Sequence, residues 1–66
     1  MKRFLLPLFL LAAAGCATSS AFRSGENAER LQDYDRAVLE YQKALQGAPN
    51  DVQYRRALER ARMRAS

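Results

Sequence analysis

The chain has 66 residues, among them 11 basic residues, 7 acidic residues, one cysteine and no histidine. The lone cysteine excludes an internal disulfide, and the lack of histidine removes the most common protein ligand for metals. The formal net charge of +4 is concentrated at one end, since residues 52–66 hold five arginines and one glutamate. This local charge does not by itself indicate nucleic-acid binding, and we expect no nucleic-acid partner.

The first 15 residues have the pattern of an export signal. A short basic start, Met1 to Arg3, is followed by 11 apolar residues that end at Ala14. Eleven helical residues reach only about 16 Å, against roughly 30 Å of bilayer hydrocarbon, so this run is too short to span a membrane. Removing residues 1–15 leaves 51 residues, close to the size at which one core stops being sufficient.

Small residues stand directly before the single cysteine: Ala13, Ala14 and Gly15 precede Cys16. They resemble the lipobox of bacterial lipoproteins, in which the thiol receives a diacylglyceryl group and a signal peptidase cuts before the cysteine. The resemblance implies a signal peptide over 1–15, cleavage between Gly15 and Cys16, and a lipid on Cys16. Ala13 departs from the family, which more often has a larger aliphatic residue there. The alternative is an unmodified cysteine that packs as a small apolar residue.

The lipoprotein resemblance also implies a location. Acyl chains contribute about 0.8 kcal/mol for each buried CH₂, which would hold the protein at a membrane. Ala17 after the cysteine implies sorting to the outer membrane of the bacterial envelope, facing the periplasm. We therefore expect a lipidated polar tether over 16–20 and a helical segment over 21–66.

The spacing of apolar residues predicts a first helix from about Ser20 to Leu31, capped by hydroxyl groups of residues 18–20. Its packed side would carry Gly25, which costs about 1 kcal/mol relative to alanine but lets a neighbouring helix approach closely. The residues expected on this side are Ala21, Phe22, Gly25, Ala28 and Leu31.

A central helix is the strongest prediction. Asp33 can cap its first turn, Gly47 can take the left-handed conformation that ends a helix, and Pro49 blocks continuation. The short connection before Asp33 predicts that this helix folds back antiparallel to the first one. Its apolar stripe consists of Tyr34, Ala37, Val38, Tyr41, Ala44 and Leu45.

The spacing after Pro49 predicts a third helix, capped by Asn50 with Gln53 completing a capping box. No glycine or proline interrupts it before Ser66, which suggests either a truncated sequence or a frayed tail. The fold class is therefore predicted to be all-α. The apolar stripe of this helix consists of Tyr54, Ala57, Leu58, Ala61 and Ala65.

The segment from Asp33 to Asp51 resembles the second half of a tetratricopeptide repeat (TPR). The family uses small residues where its helices cross, an aromatic residue four positions on, and a proline that ends each 34-residue unit. The first helix is atypical, since Ala21, Ser24 and Ala28 replace larger residues of the family. The alternative is a generic helical hairpin with an alanine-rich contact. The residues that match the family's packing positions are Gly25, Tyr34, Ala37, Tyr41, Ala44, Leu45, Pro49 and Leu58.

The TPR resemblance implies a protein that binds other proteins, with a peptide or a helix in a groove. About one and a half repeats lie in this chain, whereas roughly three are usually needed to bury both faces of a repeat. We therefore expect further chain or a partner to cover the exposed side. We expect no enzyme activity, cofactor, metal or small-molecule substrate, and we interpret the neighbouring carboxylates of Glu26 and Glu29 as solvated or capping groups.

The arginines of the third helix lie in rows at helical spacing and could bind anionic lipid headgroups. A solvated helix face is the preferred interpretation. The arginines concerned are Arg55, Arg56, Arg60, Arg62 and Arg64.

Two other functions fit the same sequence. A lipoprotein signal, one repeat and an arginine-rich helix are similar to the N-terminal end of some secretin-type outer-membrane secretion proteins. Strand-rich ring domains after Ser66 would favour that alternative, and more helical repeats would favour an adaptor. A soluble basic binding peptide would require unlipidated material in the cytoplasm.

Overall fold

The computed structural model describes residues 17–66, which form three helices and no strand. Helix α1 covers residues 17–30, α2 is Tyr34–Gly47 and α3 is Val52–Ala65. The predicted all-α class is confirmed over these residues. The predicted signal peptide, its cleavage position and Cys16 lie outside the described residues.

Helix α1 begins earlier than the sequence predicted. Residues 17–20 are helical rather than a polar tether, and the helix ends at residue 30 instead of Leu31. Thr18, in this first turn, is buried and lies against Gly47 at the end of α2. Leu31 lies in the turn and is exposed, so its predicted place in the packed stripe is wrong.

The α1–α2 turn is a Schellman motif. The N–H of Gln32 donates to the carbonyl oxygen of Glu29 at 2.9 Å, and the N–H of Asp33 donates to that of Ala28 at 2.8 Å. This geometry needs a left-handed residue, and Gln32 supplies it with φ of 61°. Asp33 then caps α2, because its side chain accepts from the N–H of Arg36 at 3.3 Å. The predicted Asp33 cap is confirmed.

Gly47 does not take the left-handed conformation that the sequence predicted, since no glycine among the described residues has positive φ. It is the last residue of α2, and a Cβ there would overlap the Thr18 hydroxyl. The glycine is therefore needed for the close approach of α1. The last hydrogen bond of α2 runs from the N–H of its C-cap residue, Ala48, to the Ala44 carbonyl oxygen at 3.1 Å.

The cap of α3 lies one residue after the predicted one. Asp51, in an extended conformation, accepts from the N–H of Tyr54 at 3.1 Å, whereas Asn50 lies in the turn. Both residue types cap well. The turn decides between them, because the N–H of Asp51 donates to the Ala48 carbonyl oxygen at 3.1 Å and so sets where α3 begins. The predicted capping box at Asn50 and Gln53 is wrong.

Contacts between the helices fix their directions. Thr18 lies against Gly47 and Gly25 against Tyr41, so α1 and α2 are antiparallel. The Phe22 ring stacks on Tyr54, with centroids 4.5 Å apart, and Glu29 binds Arg60. Tyr54 and Arg60 lie 32 and 31 positions after their respective partners in α1, so the order of contacts is the same in both helices and α3 runs parallel to α1.

The three helices share one core of mostly small side chains. Four side chains have no exposed surface, and Leu58 is 6% exposed. The four are Ala37, Tyr41, Ala44 and Ala61. Ala65, which was predicted on the apolar stripe of α3, is the last residue of that helix and is exposed. The core cluster is Ala28, Ala37, Tyr41, Ala57, Leu58 and Ala61, with Phe22, Val38 and Leu45 packed against it.

Candidate functional site

Glu29 is the polar group on which the three helices converge. It belongs to α1, and its side chain is only 10% exposed. The Arg60 guanidinium of α3 donates from Nε to Oε2 at 3.0 Å and from Nη2 to Oε1 at 2.6 Å. The Tyr41 hydroxyl of α2 donates to Oε1 at 2.6 Å, and Arg64 Nη1 lies 3.8 Å from Oε2. A bidentate guanidinium contact of this kind fixes both distance and orientation.

Tyr41 reaches Glu29 because Gly25 has no side chain. The Tyr41 ring lies over Gly25, where a Cβ would overlap the Cδ1 and Cε1 atoms of the ring. Phe22 lies on the same ring with centroids 5.4 Å apart. Glu29 is one helical turn beyond Gly25, so the hydroxyl at the far end of the ring meets its carboxylate. The predicted close approach at Gly25 is confirmed.

The pKa values of this cluster are displaced in the directions that its contacts require. Hydrogen bonds from Arg60 hold the pKa of Glu29 below its ordinary value of 4.5. Burial raises the pKa of Tyr41, and the neighbouring Glu29 carboxylate adds to that effect. The Glu29 hydrogen bonds also raise the pKa of Arg60. At neutral pH Glu29 and Arg60 are therefore charged and Tyr41 is neutral, so the cluster joins helices with fixed charge states.

An open groove of about 320 Å³ lies over the Glu29–Arg60 pair, between α1 and α3. Its walls carry both signs of charge, which suits a ligand that presents both. It is lined by Glu26, Glu29, Arg30, Arg60 and Arg64.

A second open depression, of about 130 Å³, lies beside the α1–α2 turn. The exposed Leu31 gives it an apolar side, and polar groups form most of the rest. It is smaller than the groove and lies between α1 and α2. Its lining is Ser24, Asn27, Ala28, Leu31, Asp33 and Arg36.

The residues predicted for repeat packing lie mostly inside the bundle. Tyr34 and Leu45 are half-buried and Pro49 is exposed in the α2–α3 turn. The remaining members of the set are buried: Gly25, Ala37, Tyr41, Ala44 and Leu58.

The five arginines considered for lipid contact do not form one free surface. Arg60 and Arg64 face Glu29, and the Arg64 guanidinium also lies 5.9 Å from the centroid of the Tyr34 ring. Arg55 donates to the Pro49 carbonyl oxygen at 3.1 Å. The other two members of the set, Arg56 and Arg62, are exposed and have no hydrogen bond or ion pair within residues 17–66.

The sequence interpretation missed the role of Glu29, which is neither solvated nor a cap. Its main partner lies 31 residues away, beyond the reach of any local pattern. One signal was present, however. Glu29 lies four residues after Gly25 on the side of α1 that packs against α2, where a charge needs a partner.

Comparisons with protein-family models, with characterised proteins and with solved structures give no match to this chain. Within the described part of the chain, no helix is long and apolar enough to cross a membrane. No cluster of potential metal ligands occurs among those same residues. The groove over Glu29 is therefore the candidate site on geometry alone.

Proposed function

We propose that this protein is a lipid-anchored helical-repeat module of the bacterial cell envelope that binds other proteins. The observation that carries the proposal is the groove between α1 and α3, whose floor is fixed by the Glu29–Arg60 ion pair. Two parallel helices held at a set distance offer a preformed surface, and preformed surfaces lose little entropy on binding.

The arrangement of the helices supports a repeat of the TPR kind. An antiparallel pair that crosses at Gly25 and Tyr41 is followed by a helix parallel to the first. The offsets of 31 and 32 residues between α1 and α3 partners are close to the 34-residue unit of that family. A third helix in that position would be the first helix of a following repeat.

The groove can accept an extended peptide or a helix that carries both charge signs. Glu26 and Arg30 are exposed on one wall, and Arg64 is about half exposed on the other. Arg64 lies 3.8 Å from the Glu29 carboxylate, whereas Arg60 binds it at 2.6 Å. The Arg64 guanidinium is therefore more available to a ligand than that of Arg60. Charged contacts of this kind set orientation and partner choice more than affinity.

The groove can be tested with a photoreactive benzophenone residue placed at Glu26 in the full chain in cells. A matched variant carries the same residue at Asp35, which is exposed on α2 and outside the groove. We expect one adduct of defined mass at Glu26, none at Asp35, and loss of the adduct when Arg30→Glu inverts a groove charge. Equal adducts at both positions would contradict the proposal.

The anchor is tested by metabolic labelling with a fatty-acid analogue. We expect label on the chain and no label on the Cys16→Ser variant. A control that combines Cys16→Ser with Ser20→Cys keeps one thiol in the chain but moves it off the cleavage boundary, and it should stay unlabelled. Label on the Cys16→Ser variant would rule out the anchor. The secretin-type alternative depends on sequence after Ser66 and stays a prediction.

A further inference from the structure

The helix directions place distant parts of the sequence at the same end of the bundle. The start of α1, the end of α2 and the start of α3 lie together, since Thr18 contacts Gly47 and Phe22 stacks on Tyr54. We define this near end as residues 17–23 and 41–58, and the far end as residues 24–40 and 59–66. Helices of 14 residues are about 20 Å long, so this is the distance between the tips of the two ends, which meet at mid-helix.

The two ends differ in charge. The near end holds four basic residues and one acidic residue, and the far end holds five basic and six acidic residues. Lys43 and Glu40 form an ion pair at 3.3 Å across the boundary, so the charges outside that pair sum to +2 at the near end and 0 at the far end. The two tips, about 20 Å apart, are separated by more than the Debye length of about 8 Å at physiological ionic strength, so a surface at one tip is screened from charges at the other. The near-end charges are Arg23, Lys43, Asp51, Arg55 and Arg56.

The chain enters the bundle at the near end without a spacer. Residue 16 is bonded to Ala17, the first described residue, and residues 17–20 are already helical and packed through Thr18. Consecutive Cα atoms are 3.8 Å apart, so whatever is attached at position 16 lies within a few ångströms of this end. A lipid at Cys16 would thus bring the bundle against the membrane by its basic end.

From this placement and this charge distribution we infer that the bundle stands end-on, with its near end on an anionic lipid surface. The inference rests on the proposed lipid anchor and adds an orientation to it. Val52 and the α2–α3 turn face the headgroups, while the far end and the mouth of the groove around Arg64 point away from the membrane. The near-end arginines, not the whole α3 row, are the lipid contacts.

Position-specific photocrosslinking in the full chain tests the orientation in cells. A benzophenone residue is placed at Val52 or, as the matched control, at Met63. Both are exposed apolar positions of α3, with 54% and 75% of their surface accessible, but they lie at opposite ends. We expect phospholipid adducts at Val52 and few at Met63. Equal lipid adducts at the two positions, or a protein adduct in place of lipid at Val52, would overturn the orientation.

Paired charge variants test whether the near-end arginines cause this orientation. Arg23→Gln with Arg56→Gln removes two near-end charges, and Arg36→Gln with Arg62→Gln removes two far-end charges. All four side chains are exposed and make no hydrogen bond or ion pair within residues 17–66. We expect the Val52 to Met63 ratio of lipid adducts to fall about fivefold per arginine in the first pair and to stay unchanged in the second. An equal effect of both pairs would contradict the inference.

Fatty-acid labelling of the same cells keeps the two proposals apart. A labelled chain with equal lipid adducts at Val52 and Met63 leaves the anchor in place and overturns the orientation. An unlabelled chain overturns the anchor and, with it, the orientation that depends on it.

Discussion

Tyr41 and Gly25 form the contact on which the α1–α2 pair depends. The ring has no exposed surface and lies where a Gly25 Cβ would be, while its hydroxyl binds Glu29. A ring held at both ends cannot move aside at low cost. This single pair therefore couples a steric contact to a buried polar one.

Gly25→Ala should destabilise the protein although alanine is the better helix former. The gain in helix propensity is about 1 kcal/mol, and overpacking against the Tyr41 ring costs typically 1–3 kcal/mol. We expect a net loss of about 1 kcal/mol in urea unfolding followed by circular dichroism. The control is Ser24→Ala, an exposed neighbour on the same helix that should gain a few tenths of a kcal/mol. A more stable Gly25→Ala variant would show that Tyr41 can move.

The Glu29 carboxylate makes stability depend on pH in the acidic range. Its pKa is lower in the folded chain than its ordinary value of 4.5, because Arg60 and Tyr41 donate to the charged form. A lowered folded pKa gives stability that is present above pH 4.5 and is lost as the pH falls through the folded pKa. We expect Glu29→Gln to be less stable at neutral pH and to lose less on acidification. Parallel unfolding profiles for both proteins between neutral and acidic pH would contradict this.

At the scale of the helices, the sequence predicted α2 and α3 and most of their packed residues correctly, Ala65 being the exception. Their apolar stripes are local and regular, so periodicity was sufficient. The ends were less certain, because Asn50 and Asp51 cap equally well in isolation and the turn at Ala48 selects one of them. The Glu29–Arg60 pair could not be predicted, since helix direction brings the two residues together from 31 positions apart.

The Schellman turn between α1 and α2 holds a non-glycine residue in the left-handed region. Gln32 has φ of 61°, where an L-residue with a side chain costs roughly 1–2 kcal/mol. Gln32→Gly should therefore stabilise the chain by about 0.5–1 kcal/mol, after the greater entropy loss of glycine on folding. The matched control is Gln46→Gly, an exposed position inside α2, which should cost about 1 kcal/mol. Thermal unfolding of both variants measures the difference, and a loss of stability in both would exclude the left-handed conformation at position 32.

At the scale of the whole molecule, the bundle is small and its core is built largely from alanine. Alanines let helix backbones approach closely but bury little apolar surface, and domains of about this size are marginally stable. The polar cluster at Glu29 and the aromatic contacts of Phe22 thus carry a larger share of the packing than they would in a larger domain.

Ala37→Glu is the strongest test of this packing. Ala37 has no exposed surface and lies in the core cluster, so a carboxylate there would be buried without a partner. Removing one charge from water in this way costs several kcal/mol, comparable to the total stability of a small domain. We expect the variant to lose most of its helical circular dichroism at room temperature. The matched control, Leu39→Glu, introduces the same carboxylate at an exposed position two residues later on α2 and should keep its helicity. Equal helicity and equal melting temperatures for the two variants would mean that α2 does not pack through Ala37, and the groove between α1 and α3 would lose its support.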